Sequence, residues 1–287
     1  MRLVTFQPRG QKARLGAICG ELIIDLHAAT DRQLPSDMCT FLSSGPFAFE
    51  MARSACTNAR SPYLLEKVEL LAPILNPSKV IAIGQNYMDH CREQGKEPPK
   101  LPIIFAKFTT SIVGPGAEIR WSPRLTQQVD FEAELAVVIG KPARRVSKHE
   151  ALDYVAGYTC CNDVSARDLQ FGDGQWVRGK SLDTFCPLGP WLVTADEIPD
   201  PQNLAIKSTL NGQTMQDSNT SEMIFDVATL IEFASHAFTL LPGDVILTGT
   251  PNGVGVFRNP PVFMKHGDVI TIEIDKIGQL TNTCVEE

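Results

Sequence analysis

Two glutamates, Glu132 and Glu134, sit two residues apart in the stretch VDFEAELAVVIG (129–140), whose period-two alternation predicts a β-strand. One face would carry Phe131, Ala133, Leu135, Val137 and Ile139. The other would carry Asp130, Glu132 and Glu134 before turning apolar at Ala136 and Val138. Same-face neighbours on a strand lie about 7 Å apart, so two ionised carboxylates are held close together. Either the strand is an edge with both groups in water, or it is buried and a cation offsets the repulsion. A second strand-like run, YVAGYTCCNDVSARD, reaches Asp163 where strand should give way to loop. Three carboxylates converging from two strand segments repel strongly unless a cation sits among them. Oxygen donors alone suit Mg²⁺, Mn²⁺ or Ca²⁺. Zinc is not indicated, because the five histidines and eight cysteines follow no zinc spacing.

Further groups able to do chemistry flank this trio. Ser165 and Asp168 have the spacing of a helix-capping box. Arg167 and Gln170 fit a solvated helical turn or a site. Lys180 lies in GQWVRGKS (174–181), which satisfies the phosphate-loop pattern G-x-x-x-x-G-K-S/T letter for letter. The context contradicts that motif: LQFGD is a poor strand before it, and SLDTFCPLGP places two prolines and a glycine where a helix should follow. A nucleotide triphosphatase is therefore disfavoured. A lysine beside a metal can instead balance charge, and can move protons once the cation and burial lower its pKa. In NYMDHCREQGKEPP (86–99), His90 and Glu93 are i and i+3 on a short helix, so the carboxylate can fix the imidazole tautomer. Gly95 and the paired prolines give this segment the character of a mobile cover, although a charged surface helix has the same spacing. GTPNGVG (249–255) lacks dinucleotide-binding spacing, and its glycines suit a tight turn.

The elements that must position these groups are mostly short strands. RLVTF, ARLGAI and ELIIDL open the chain, followed by helix-compatible SDMCTFLSS and FAFEMARSACTNAR. The Pro-punctuated APILNPSK then leads into KVIAIG, placing a boundary between a small N-terminal β-rich domain (1–72) and a main domain (73–287). PIIFAKF, YVAGYTCC, WLVTA, AIKSTLNG, VILTGTP and VITIEI, separated by Gly, Pro, Asp and Asn, indicate an α+β, mainly β body, curled or sandwiched. One helix stands out, DVATLIEFASHAFTLLPG, with apolar residues at helical spacing and a Pro-Gly stop. His236 on it reads as structural, and Asn219 in a glycosylation sequon reads as a loop residue.

Net charge −7 and pI ≈ 5.3 argue against nucleic acid or an anionic membrane as main partner. No apolar run is long enough to span a membrane. MRLVTFQ reads as a strand rather than a signal or transit peptide. The cysteines have the scatter of reduced, intracellular thiols.

Taken together, IGQNYMDHCRE, VDFEAELAVVIG, NDVSARDLQ, RGKSLDTFCPLGP and PGDVILTGTPNGVG resemble the fumarylacetoacetate hydrolase family, in the family's order and from about residue 70 onward. The resemblance implies a mixed β-sandwich roll with a few helices, commonly a homodimer. It implies that Glu132, Glu134 and Asp163 ligate a divalent metal, usually Mg²⁺, and that Lys180 is the active-site lysine. Arg167 and Gln170 would line the pocket, His90 and Glu93 would be the acid/base pair of a lid helix, and Thr250 would contact a bound 2-oxo acid. Within the family the sequence is most similar to a group associated with oxaloacetate keto–enol tautomerisation. Acylpyruvate hydrolysis and oxaloacetate decarboxylation are alternatives sharing the same enolate, and a non-catalytic binding protein is a remoter one. The implied compartment is the mitochondrial matrix in a eukaryote and the cytoplasm otherwise.

Overall fold

All seven residues of the strand Ala133–Ile139 are buried. Ala133, Leu135, Val137 and Ile139 join Phe131 in one core, while Ala136 and Val138 enter a second. Apolar residues on both faces require a strand covered on both sides. This strand is correspondingly internal, antiparallel to Val155–Asn162 on one flank and to Val245–Leu247 on the other. The solvated-edge arrangement is thereby ruled out. The stretch predicted as one strand over 129–140 is in fact two. Val129–Asp130 leaves the main sheet to pair with Ser165–Ala166, and Phe131–Glu132 forms the break. At the break Asn162 Oδ1 accepts from Glu132 N at 3.0 Å and Gln216 Oε1 from Ala133 N at 2.9 Å, so side chains take over from the ladder.

The computed structural model describes residues 1–58, 60 and 62–287. Among these, the main sheet has twelve strands. Its path runs from Pro62–Leu64 through Leu22–Asp25, Arg14–Cys19 and Arg2–Pro8 to Cys186–Thr194 and Val155–Asn162. It continues through Ala133–Ile139, Val245–Leu247 and Val80–Gly84 to Ile103–Lys107. The N-terminal strands extend this sheet through Leu3 opposite Leu192 and Arg2 opposite Val193. A second sheet of five strands, Gln213–Asn219, Ala205–Leu210, Val269–Ile274, Gly278–Glu286 and Glu118–Trp121, shares the first core with the main sheet. Helices Met38–Ser43 and Pro46–Asn58 contribute Phe41, Leu42, Ala48 and Ala52 to the second core. The predicted helix FAFEMARSACTNAR extends past Asn58, where Ala59 lies outside the described residues.

Several local expectations need correction. The helix over 226–243 covers only Val227–Ala237, capped by Asp226. Phe238 is extended, and Leu240 bonds to Ala143 as an isolated bridge, so tertiary pairing claims residues whose spacing suited a helix. Ser165 and Asp168 do not form a capping box. The helix Arg167–Gly172 has Ala166 at its N-cap and no side-chain cap, because Ser165 is engaged in pairing with Asp130. Asp168 accepts instead from Thr126 Oγ1 at 2.6 Å. Asn219 ends a strand and caps the turn Thr220–Glu222 rather than lying in a loop. His236 is exposed, its ring bonded to the Glu232 carbonyl. All eight cysteines are free.

Candidate active site

Register brings the acidic trio together. Ala133 pairs with Asn162 and Glu134 with Cys161, so Glu132 and Asp163 sit where both strands leave the ladder at the same end. Each of Glu132, Glu134 and Asp163 has a carboxylate oxygen within 4.8 Å of the others, and all three are buried. Burial, and then the charges of Asp163 and Glu132, push Glu134 well above the usual carboxylate range. Glu134 Oε2 accepts from Gly249 N at 2.7 Å. That approach needs a glycine: its φ is +96°, and a Cβ there would stand 2.8 Å from Asn86 Cβ. Three oxygen donors at this separation, with a carboxylate under strong repulsion, match the coordination demands of a hard divalent cation. The residues present therefore fit the metal that the resemblance implies.

Cations surround the trio. Lys180 Nζ lies 2.7 Å from Glu132 Oε2 and 2.8 Å from Asp163 Oδ2, and is buried. The 174–181 segment forms one short helix, Val177–Lys180, which delivers Lys180 to carboxylates rather than amides to a phosphate. Gly179 permits it: a Cβ would meet Gln170 N at 2.6 Å, so the turn packs directly on Arg167–Gly172. Burial acts to lower the Lys180 pKa, but Asp163 and Glu132 outweigh it and the ammonium is held protonated. Burial likewise acts to raise Glu132, yet Lys180 and Arg167 hold it at about 2. Arg167 Nη1 contacts Glu132 Oε1 at 2.7 Å and Gln170 Oε1 at 2.9 Å. Its Nη2 is buried with no hydrogen-bond partner among the described residues.

The His90–Glu93 pair forms as its spacing suggests, Nδ1 to Oε2 at 3.0 Å on the helix Met88–Glu93. The second Glu93 oxygen accepts from Gly253 N at 2.9 Å, and Asp89 accepts from Ser218 Oγ at 2.6 Å. This helix is docked onto the 249–257 segment, with the His90 ring 5.8 Å from that of Phe257. A cavity lies against it, lined by His90, Glu132, Glu134, Arg167, Gln170, Lys180 and Thr250. Of the nine predicted site residues, only Glu93 and Asp163 stand behind the lining. Phe105 and Trp176, packed edge to face, form an apolar wall.

Three participants escape sequence reasoning. Asp130 is fully buried and accepts from Arg167 Nε at 2.8 Å, Gly255 N at 2.8 Å and Val256 N at 3.0 Å. Gln216 accepts from Ala133 N and donates from Nε2 to Thr250 Oγ1 at 2.8 Å, bracing the strand Ala133–Ile139 against the 249–257 segment. Lys107 is buried against Asp163, with Nζ–Oδ1 2.6 Å. A lone lysine closing the apolar run IIFAK is its only sequence signal.

The profile described as "Fumarylacetoacetate (FAA) hydrolase C-terminal" matches residues 79–285. The chain is 51% identical to "Oxaloacetate tautomerase fahd2, mitochondrial" of Xenopus laevis, over 99% of this chain and 90% of that protein. Identity to "Oxaloacetate tautomerase FAHD2A, mitochondrial" of Homo sapiens is 48%, over 99% and 92%. Among solved structures, a fumarylacetoacetate hydrolase from Exiguobacterium antarcticum superposes with a TM-score of 0.86 at 37% identity, covering 100% of both chains.

Proposed function

The chain belongs to the fumarylacetoacetate hydrolase family, and on that premise we propose that it is a Mg²⁺-dependent oxaloacetate keto–enol tautomerase. The observation that carries the reading is a buried carboxylate trio, two of whose members line one cavity with Arg167, which has a nitrogen unpartnered among the described residues, and with a paired histidine. It is supported by full-length identity near one half to relatives named oxaloacetate tautomerase.

Glu132, Glu134 and Asp163 would hold the cation, which when bound supplies chelation of the 2-oxo acid and charge stabilisation of its enolate. The dianion is thereby reconciled with an acidic protein. Arg167 Nη2 has no acceptor among the described residues and is available to a substrate carboxylate, with Gln170 and the Thr250 hydroxyl beside it. Glu93 fixes His90 through Nδ1, which leaves Nε2 to exchange a proton with the enol oxygen or C3. The Lys180 ammonium supplies the second proton carrier, so one group can donate as the other accepts. Phe105 and Trp176 give the cavity an apolar wall beside the proton carriers.

Residues 1–72 act as a small N-terminal domain on a catalytic domain of 73–287, and exposed Leu101, Phe108 and Phe171 suit a homodimer contact. The mitochondrial names of the relatives support the mitochondrial matrix as its compartment in a eukaryote. The test follows enol-oxaloacetate by ultraviolet absorbance with and without Mg²⁺, beside an acylpyruvate. Faster enol decay without pyruvate or CO₂ is expected. Stoichiometric pyruvate from oxaloacetate would reassign the chain as a decarboxylase, and cleavage of the acylpyruvate alone as a hydrolase.

A further inference from the structure

Lys107 is one of the three buried cations around the carboxylates, and it does not line the cavity. It ends the edge strand Ile103–Lys107, and its side chain is wholly excluded from solvent. An ammonium has three donors, and each has an acceptor here: Asp163 Oδ1 at 2.6 Å, the Val164 carbonyl at 3.4 Å and the Lys180 carbonyl. Asp163 is therefore gripped by both oxygens, Oδ1 by Lys107 from behind and Oδ2 by Lys180 from the cavity side. A second clamp lies one residue on, where Phe108 N donates to Ser181 Oγ at 3.0 Å. Residues 107–108 thus fix both the rotamer of Asp163 and the backbone from which Lys180 projects.

We propose that Lys107 is a positioning residue of the site. It holds Asp163 so that a single oxygen, Oδ2, faces Glu132 and Glu134, and it anchors Lys180 through its carbonyl. This rests on Asp163 being a metal ligand. Charge and position make opposite predictions for its removal. Deleting a cation next to an acidic cluster would by electrostatics alone tighten binding of a divalent cation. Loss of an orienting partner typically weakens metal affinity by about 10- to 100-fold.

The experiment measures Mn²⁺ binding to the full chain by electron paramagnetic resonance and calorimetry, for wild type, Lys107→Met and Asp163→Asn. Near-ultraviolet circular dichroism monitors folding. Lys107→Met should weaken Mn²⁺ binding at least tenfold and reduce kcat more than it raises KM, because Lys107 does not touch the substrate. Unchanged or tighter Mn²⁺ binding would overturn the proposal. If Lys107→Met does not fold, Lys107→Gln is judged by the same criterion, since its amide is one atom too short to span Asp163 and the Lys180 carbonyl. Wild-type Mn²⁺ affinity in Asp163→Asn would show instead that the ligand assignment has failed.

Discussion

Truncating Asp130 to alanine tests the packing logic of the site without touching a proposed ligand. Its carboxylate is fully buried and accepts from four donors: Arg167 Nε, Phe131 N and Gly255 N, each at 2.8 Å, and Val256 N at 3.0 Å. Alanine leaves Arg167, already carrying one unpartnered nitrogen, balanced by Glu132 alone. Breaking a buried ion pair costs about 3–5 kcal/mol, and each orphaned buried amide about 1–3 kcal/mol more. Water entering the vacated space recovers part of the second contribution, so a net loss of about 5 kcal/mol is expected. With a urea dependence of roughly 3 kcal/mol/M for a chain of this size, the midpoint should fall by about 1.7 M. Asp130→Asn keeps one acceptor oxygen for Phe131 N and Gly255 N but turns amide hydrogens toward both Arg167 and Val256, and should lose about 1 M. Removing an exposed acid such as Asp173, paired with Arg178 at the surface, should leave the midpoint where it is. Equilibrium urea unfolding followed by circular dichroism reads all three. Midpoints for both Asp130 variants within about 0.3 M of wild type would refute the reasoning.

Glu134→Gln should stabilise the metal-free protein, raising Tm by about 3 °C, because it removes one of three mutually repelling buried carboxylates; it should also abolish the stabilisation that Mg²⁺ gives wild type, and calorimetric scans with and without the cation check both. Lys180→Ala should retain Mn²⁺ binding yet lower kcat by about 10²-fold or more, as single-turnover enol decay would reveal. Glu93→Gln should keep its bond from Gly253 N but lose the charge facing His90, lowering kcat at least tenfold with little change in Mn²⁺ affinity, separable by steady-state kinetics and titration. Gly84→Ala would place a Cβ 2.3 Å from Trp176 Cζ3, pushing the indole into the cavity; kcat/KM should drop roughly tenfold and tryptophan emission should shift.

The carboxylate trio was legible because its members are short-range signals, two on one alternating strand and one at a strand end. Alternation also fixed which residues of 129–140 enter which core, since strand side chains can face only two ways. Asp130, by contrast, reads in the sequence only as a carboxylate that backs the site or is simply solvated: its partners lie 37 and 125 residues away in Arg167 and Gly255, and only the folded chain brings them to it. Gln216 was hidden because QTMQDSN has no clean apolar period, and its strand forms as the edge of the five-stranded sheet through pairing with Ala205–Leu210. Lys107 looked like the polar end of an apolar strand, and nothing local marks it as an inward-facing charge. The capping box failed for a related reason, since Ser165 satisfies its spacing while strand pairing with Asp130 takes precedence.

The central claim is that this chain moves a proton at C3 of oxaloacetate through a cation held by Glu132, Glu134 and Asp163. Proton NMR of oxaloacetate in D₂O with Mg²⁺ measures that transfer directly, comparing wild type with Glu132→Gln. The account predicts wild-type-accelerated loss of the C3 proton signal without growth of a pyruvate signal, and no acceleration by Glu132→Gln or after chelation of the cation. Equal C3 exchange by wild type and Glu132→Gln, or pyruvate accumulating in step with oxaloacetate loss, would contradict it.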